Sequence, residues 1–119
     1  KWGMYATGLL GLNGEPGKFK WPRKGKNNDK AHPPIHPTKD GNDLTGAEAK
    51  VYEFIARRFL ACCSDDARAL ETVVLAGMGE ERFRARGVIV ESLNYLEVYP
   101  YETWDDQRIG MFRPGEEIT

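Results

Sequence analysis

The stretch Lys30-Ala-His-Pro-Pro-Ile-His-Pro-Thr-Lys39 divides the chain and decides how its flanks can fold. Each proline fixes its own φ near about −65° and pushes the residue before it toward extended backbone. We therefore predict a stiff, extended segment, the histidine arm (residues 30–39). It carries both histidines of the chain, His32 and His36, and imidazoles beside lysines suit an anionic group such as a phosphate. A proline-rich surface linker with two incidental histidines is the alternative.

The four-residue spacing of the two histidines resembles a metal-binding pair. That pair requires a helix to bring both rings to one face, and the prolines of the arm exclude a helix. No third ligand is evident nearby in the sequence. No metal site is predicted.

The chain has 119 residues and a net charge of −1, which suits one domain or parts of two. Residues 1–40 carry a net charge of +5 and residues 41–119 a net charge of −6. A basic front half indicates a polyanionic partner. No apolar run approaches the roughly 18 residues of a membrane span, so no membrane association is predicted. Cys62 and Cys63 are adjacent, which disfavours a disulfide and predicts two reduced thiols in the core.

Residues 11–29, the basic loop, are rich in Gly, Asn and Lys and contain Phe19 and Trp21. Cations interleaved with rings are typical of grooves for single-stranded nucleic acid, where the cations meet the backbone and the rings stack on bases. A solvated loop that Trp21 pins to the body is the alternative. The basic residues around the two rings are Lys18, Lys20, Arg23, Lys24, Lys26 and Lys30.

Two helices and several strands are predicted around these segments. Residues 1–10 have apolar groups at roughly helical spacing, and Thr45-Gly-Ala-Glu48 is a capping-box sequence opening a helix to about Cys63. The predicted buried stripe of that second helix is Val51, Ile55, Phe59 and Cys62.

After residue 66 the period changes to that of antiparallel strands. Strands are predicted at 71–76 and 82–90, joined by a turn at 77–79, with extended chain at 95–101 and a further strand near Met111. Arg82, Arg84 and Arg86 share one face, interpreted as a solvated face, with nucleic-acid contact as the alternative. The fold class is α+β.

The motifs resemble those of the type IA DNA topoisomerases, in the version carried by topoisomerase III. The resemblance begins with the Ala-His-x-x-Ile-(Arg/His)-Pro-Thr signature at residues 31–38 and runs in order along the chain. Its Cys-Cys and Tyr-Pro-Tyr details resemble the eukaryotic alpha-type enzymes most. The other matching segments are Leu44-Thr-Gly46, Val51-Tyr-Glu-Phe-Ile55, Arg58-Phe-Leu-Ala-Cys-Cys-Ser64, Glu71-Thr-Val73 and Asn94-Tyr-Leu-Glu-Val-Tyr-Pro-Tyr101.

The resemblance implies an enzyme that cleaves and rejoins one DNA strand through a tyrosine, relaxing negative supercoils and unlinking DNA. The family's Tyr-x-Arg-Thr motif and acidic Asp-x-Asp motif do not occur in this sequence. We therefore expect an internal fragment, inactive alone: residues 1–69 from the end of the helical cleavage domain and residues 70–119 from the β-rich gate domain.

The resemblance also assigns roles to residues. His32 corresponds to the family histidine beside the scissile phosphate, and His36 occupies a position that many relatives fill with Arg. The residues expected to contact DNA are Lys18, Lys20, Trp21, Arg23, Lys24, Lys26, Lys30, His36, Thr38 and Lys39.

The implied cofactor is Mg²⁺, bound outside this chain. The implied partners are single-stranded DNA segments, a RecQ-type helicase and an accessory OB-fold protein, in the nucleus and also the mitochondrion if the source is eukaryotic. A stand-alone module that binds single-stranded nucleic acid is the alternative function, and a structural fragment that unfolds with poor cooperativity is a third reading.

Overall fold

The computed structural model describes residues 2–118. Two helices, α1 (Gly3–Leu10) and α2 (Gly46–Cys62), precede two strands, β1 (Arg68–Met78) and β2 (Glu81–Ser92). A short 3-10 helix follows at Asn94–Glu97, where extended chain was predicted. The basic loop and the histidine arm contain neither helix nor strand. The predicted α+β class, with helices before antiparallel strands, is confirmed.

The start of α2 differs from the capping box that the sequence predicts. Thr45 is extended and its side chain makes no capping hydrogen bond. Gly46, the first residue of the helix, has a left-handed φ of 59°. The backbone therefore changes direction between Thr45 and the first turn, and the hydroxyl does not reach the amide of Glu48.

The buried face of α2 is also displaced from the predicted stripe. Val51 is 59% exposed, and Phe59 and Cys62 are exposed as well. The side chain that the fold buries is Ala56, which is 1% exposed. The predicted stripe was wrong because the partners of α2, not its own periodicity, decide which face is covered.

The core lies where α1, α2 and the 3-10 helix meet. Among the described residues its buried apolar members are Leu9, Ala56, Cys63, Leu96 and Val98. The Tyr5 hydroxyl links α1 to the residues just after α2 and to the 3-10 helix, because it lies 2.7 Å from Ser64 Oγ and donates to the Asn94 carbonyl at 3.2 Å. Both cysteines are free thiols, but only Cys63 is a core residue.

The two strands form a long antiparallel hairpin. The register runs from Met78 opposite Glu81 to Arg68 opposite Ser92. The predicted hairpin is therefore present, with its turn at residues 79–80 rather than 77–79 because Gly77 and Met78 still pair with β2. Within the described chain the sheet has only these two strands, and the outer edge of β1 pairs with no further strand. No member of the buried core comes from β1 or β2.

A short segment near Gln107 covers the base of the hairpin. Val88 and Gln107 exchange two backbone hydrogen bonds of 2.8 Å. Gly87 permits this approach, because a Cβ there would lie 2.9 Å from the Gln107 carbonyl oxygen and 2.8 Å from Ile109. The strand predicted near Met111 was wrong, since pairing stops at Gln107 and residues 108–118 form no strand.

The molecule is elongated. Its radius of gyration is 21.0 Å, whereas a compact domain of this length has a value of about 13–14 Å. The hairpin contributes no buried core residue, and the basic loop and histidine arm form neither helix nor strand, so much of the chain lies outside a single packed centre. The chain therefore consists of a small helical core and a hairpin that lies largely outside it.

Candidate nucleic-acid interface

The C-terminal end of the histidine arm is attached to α2. The Tyr52 hydroxyl donates a 2.6 Å hydrogen bond to the Lys39 carbonyl. Gly41 lies so close to the Tyr52 ring that a Cβ there would sit 2.6 Å from it. The His36 ring lies 6.1 Å from the Phe59 ring. Helix α2 thus fixes the course of the arm through the half-buried Tyr52 and the exposed Phe59.

His32 lies at the other end of the arm and points outward. Its side chain is 71% exposed, and its Nδ1 atom lies 2.7 Å from Asp29 Oδ2. The Asn28 side chain accepts a 2.7 Å bond from the Lys30 amide, and Lys30 has a φ of 60°. Asn and Asp bonded in this way to the backbone two or three residues on form a tight turn. This turn places the His32 ring at the surface beside the Asp29 carboxylate.

The hydrogen bond to Asp29 determines what His32 presents to a ligand. An ionised carboxylate only accepts hydrogen bonds, so Nδ1 carries the proton and Nε2 is left for a ligand. The pKa of Asp29 is lowered, first by the bond from the His32 ring and then by the amides of His32 and Ala31. His36 has a different partner, because its Nδ1 donates to the Pro34 carbonyl at 2.9 Å.

The basic loop is held against the end of α2. The Lys20 amide donates to the Cys63 carbonyl at 2.9 Å. Lys20 Nζ lies 3.5 Å from Asp65, and Arg23 lies 2.8 Å from Asp66. Two of the predicted DNA-contacting cations are therefore engaged by carboxylates. Such exposed pairs are worth little, so a phosphate can compete for either cation.

The remaining predicted contact residues lie on the surface. Trp21 is 84% exposed, and its only ring neighbour among the described residues is Phe19, edge-on at 5.2 Å. The Trp21 faces are therefore available for stacking. The other predicted contact residues are exposed and belong to no ion pair within residues 2–118: Lys18, Lys24, Lys26, Lys30, Thr38 and Lys39.

A cleft of about 860 Å³ lies beside Trp21 and brings in side chains that the sequence reasoning missed. Its walls include Arg58, Tyr95 and Trp104. Burial is the main cause of the raised pKa of Tyr95. Aromatic residues at 95 and 104 were visible in the sequence, but only the fold places them next to the basic loop.

The arginine row of β2 does share one face, as the register requires. Arg82, Arg84 and Arg86 alternate along the strand and are exposed. Arg86 pairs with Glu71 at 3.0 Å, and Arg82 donates to the backbone carbonyls of the turn. These contacts within the hairpin fit a solvated face.

The described residues do not fit a Mg²⁺ site. Magnesium requires oxygen ligands, usually carboxylates, gathered around one point. Within residues 2–118 no group of three or more His, Cys, Asp or Glu side chains is placed to hold a metal ion. The adjacent carboxylates of Asp65 and Asp66 face Lys20 and Arg23 instead.

No helix in the described part of the chain is long and apolar enough to cross a membrane.

Comparison with known proteins decides the family. The family model described as DNA topoisomerase matches residues 10–119. DNA topoisomerase 3 of Schizosaccharomyces pombe is 52% identical over 122 residues, which covers 99% of this chain and 19% of that protein. The chain belongs to the type IA DNA topoisomerases, in the topoisomerase III branch. The predicted resemblance is confirmed.

Two other topoisomerase III relatives match almost the whole chain. DNA topoisomerase 3-alpha of Homo sapiens is 46% identical over 115 residues, covering 97% of this chain and 11% of that protein. DNA topoisomerase 3 of Dictyostelium discoideum is 44% identical over 119 residues, covering 100% of this chain and 14% of that protein. The topoisomerase III chain thus spans between about a tenth and a fifth of the length of these curated relatives.

Proposed function

We propose that this chain is the part of a topoisomerase III that presents His32 to the DNA strand being cleaved and rejoined. In the whole enzyme a tyrosine attacks one phosphodiester, holds the 5′-phosphate while another strand passes, and then reseals the break. Such cycles relax negative supercoils and unlink DNA. The observation that carries the proposal is the exposed ring of His32, the histidine of the signature motif, whose Nδ1 atom lies 2.7 Å from Asp29 Oδ2.

The chemistry proposed for His32 is charge stabilisation at the scissile phosphate. Negative charge builds on the non-bridging oxygens as the tyrosine attacks, and donors aimed at that charge lower the barrier. A protonated imidazole donates from Nε2, and imidazole changes its charge near neutral pH. The nucleophilic tyrosine and the acidic Mg²⁺ site are proposed to lie outside this chain.

The surrounding cations are proposed to hold the DNA backbone. Lys18, Lys24, Lys26, Lys30 and Lys39 form no ion pair within residues 2–118, so each is available to a phosphate. His36 and Thr38 continue the same arm, while Lys20 and Arg23 exchange their carboxylate partners for phosphates when DNA binds.

The domain assignment is proposed along the same lines. Residues 1–69 would belong to the helical cleavage domain, and residues 70–119 to the gate domain. The separation of the helical core from the hairpin supports a division near this point, although β1 begins at Arg68.

A RecQ-type helicase and an OB-fold protein are proposed as partners. The nucleus, with the mitochondrion second, is the proposed location, because those compartments hold the DNA of eukaryotes such as the relatives above.

Plasmid relaxation tests the proposed function directly. We expect the whole enzyme with Mg²⁺ to relax negatively supercoiled plasmid and the 119-residue chain alone to leave it unchanged, because the chain contains no Tyr-x-Arg-Thr motif. Agarose gels of the plasmid topoisomers measure both results. Relaxation by the chain alone would contradict the proposal.

A module that binds single-stranded nucleic acid by itself is the second candidate, favoured by the exposed Trp21 ring among lysines. Stacking on one aromatic side chain contributes about 1–3 kcal/mol per base, so Trp21→Ala should weaken oligonucleotide binding by about fivefold or more. Fluorescence anisotropy with a labelled oligonucleotide measures this. Binding should also fall steeply as salt rises.

Met111→Ala provides a matched control for the tryptophan variant. Met111 is fully exposed but lies outside the basic loop, so its removal should leave affinity unchanged. If neither the unchanged chain nor its variants bind at low salt, the stand-alone module is excluded. The topoisomerase proposal would remain, since the whole enzyme supplies other contacts.

A further inference from the structure

One carboxylate controls both the backbone and the ring of His32. Asp29 Oδ1 accepts the amides of Ala31 and His32, each at 3.0 Å. The other oxygen of Asp29 accepts Nδ1 of the His32 ring at 2.7 Å. An exposed ring without such a partner would rotate about both of its side-chain torsions. The two amide bonds hold the turn, and the ring bond favours the orientation in which Nε2 lies on the side of the ring away from Asp29.

The local backbone is adapted to this arrangement. Lys30 adopts a left-handed φ of 60°, which is uncommon for a residue other than glycine and concentrates at functional sites. That conformation turns the chain so that His32 comes back onto the side chain of Asp29. The Asn28 side chain holds the Lys30 amide at 2.7 Å and stabilises the same turn.

The second histidine of the arm, His36, has no carboxylate partner on its ring. His36 has its Nδ1 on the carbonyl of Pro34 and its ring beside Phe59. Packing on α2 therefore orients His36, with a neutral acceptor. His32 has no aromatic neighbour among the described residues, so Asp29 alone orients it.

We propose that Asp29 is the positioning residue for His32 during strand cleavage and rejoining. It accepts the hydrogen bond from Nδ1–H and so leaves Nε2–H of the protonated ring to donate to the scissile phosphate, in the way that hydrogen-bond partners orient the histidine ligands of metal sites. This inference rests on the proposed role of His32. Asp29 itself does not contact the DNA, and its effect is expected only through His32.

The substitution Asp29→Asn isolates that effect. Asparagine keeps a side-chain oxygen for the amides of Ala31 and His32, so the turn is retained. Its amide nitrogen would face Nδ1–H as a second donor, so the protonated ring would lose its acceptor and rotate away from the orientation that Asp29 gives it. We expect the rate constants for cleavage and rejoining in the whole enzyme to fall about tenfold or more, with DNA affinity unchanged.

A double-mutant cycle distinguishes positioning from a structural role. Asp29→Asn should slow the unchanged enzyme but should not slow the His32→Ala enzyme further, since the two residues act as one unit. Asp40→Asn is the matched control, because Asp40 also accepts a backbone amide two residues on, that of Asn42 at 3.3 Å. It should have no effect on either background.

Each outcome assigns the failure to one proposal. An equal loss from Asp29→Asn in both backgrounds would show that Asp29 acts on the fold or on DNA binding, and would overturn its positioning role. A slow His32→Ala enzyme together with a normal Asp29→Asn enzyme would overturn Asp29 alone. A normal His32→Ala enzyme would overturn the catalytic role of His32, and the role of Asp29 with it.

Discussion

His32→Ala in the whole topoisomerase is expected to slow strand cleavage and strand rejoining by about 100-fold. Removing one hydrogen-bond donor aimed at transition-state charge costs about 10²–10³-fold in rate, and His32 shares its phosphate with other groups of the whole enzyme, so the lower end applies. DNA affinity should stay near that of the unchanged enzyme, because phosphate contacts spread over many lysines dominate binding. Rapid-quench measurement of the covalent intermediate gives both rate constants.

His36→Ala is the control within the same arm. His36 is turned toward Pro34 and Phe59, so its removal should affect the rates less than the loss of His32. An anisotropy titration of each variant with the same oligonucleotide separates binding from chemistry. If His32→Ala weakened binding as much as it slowed cleavage, His32 would be a binding residue rather than a catalytic one.

Leu96→Ala is expected to destabilise the chain by about 2–3 kcal/mol. Removing a buried leucine costs about 2–5 kcal/mol, and a core this small relaxes partly around the cavity. Leu96 is 8% exposed and belongs to the 3-10 helix that lies on α2. Urea unfolding followed by the far-ultraviolet circular dichroism of the helices measures the change.

Leu75→Ala is the same substitution at an uncovered site. Leu75 lies on β1 and is 77% exposed, so its change in the free energy of unfolding should stay within about 0.5 kcal/mol. Equal losses for the two variants would mean that the hairpin folds as part of the core. A shallow dependence of the free energy of unfolding on urea concentration in the unchanged chain would fit a structural fragment that unfolds with poor cooperativity.

The sequence predicted those features of the fold that depend on neighbours along the chain. Prolines in the arm excluded a helix locally, and the β-branched run before Gly79 predicted the hairpin. The identity of the buried face of α2 was not predictable in the same way. It depends on the 3-10 helix and Val98, more than thirty residues further on, which lie against α2 where Arg57 donates to the Val98 carbonyl.

The candidate site was predicted in part for the same reason. The signature motif singled out His32. The role of Asp29 depends on a turn that brings the His32 ring back to a side chain three residues earlier in the chain. Asn28 and Asp29 directly before a left-handed position were the available signal, since both side chains favour such turns. Arg58 and Trp104 had no comparable signal, because only the folded chain brings them to the cleft beside Trp21.

The open edge of β1 bears on how the isolated chain behaves in solution. A long row of unpaired amides and carbonyls offers a template on which a second copy can add a strand. The like charges of Arg82, Arg84 and Arg86 oppose such an approach, and dissolved ions screen that repulsion. Raising the ionic strength to release nucleic acid from the basic loop therefore also weakens this repulsion between neighbouring hairpins.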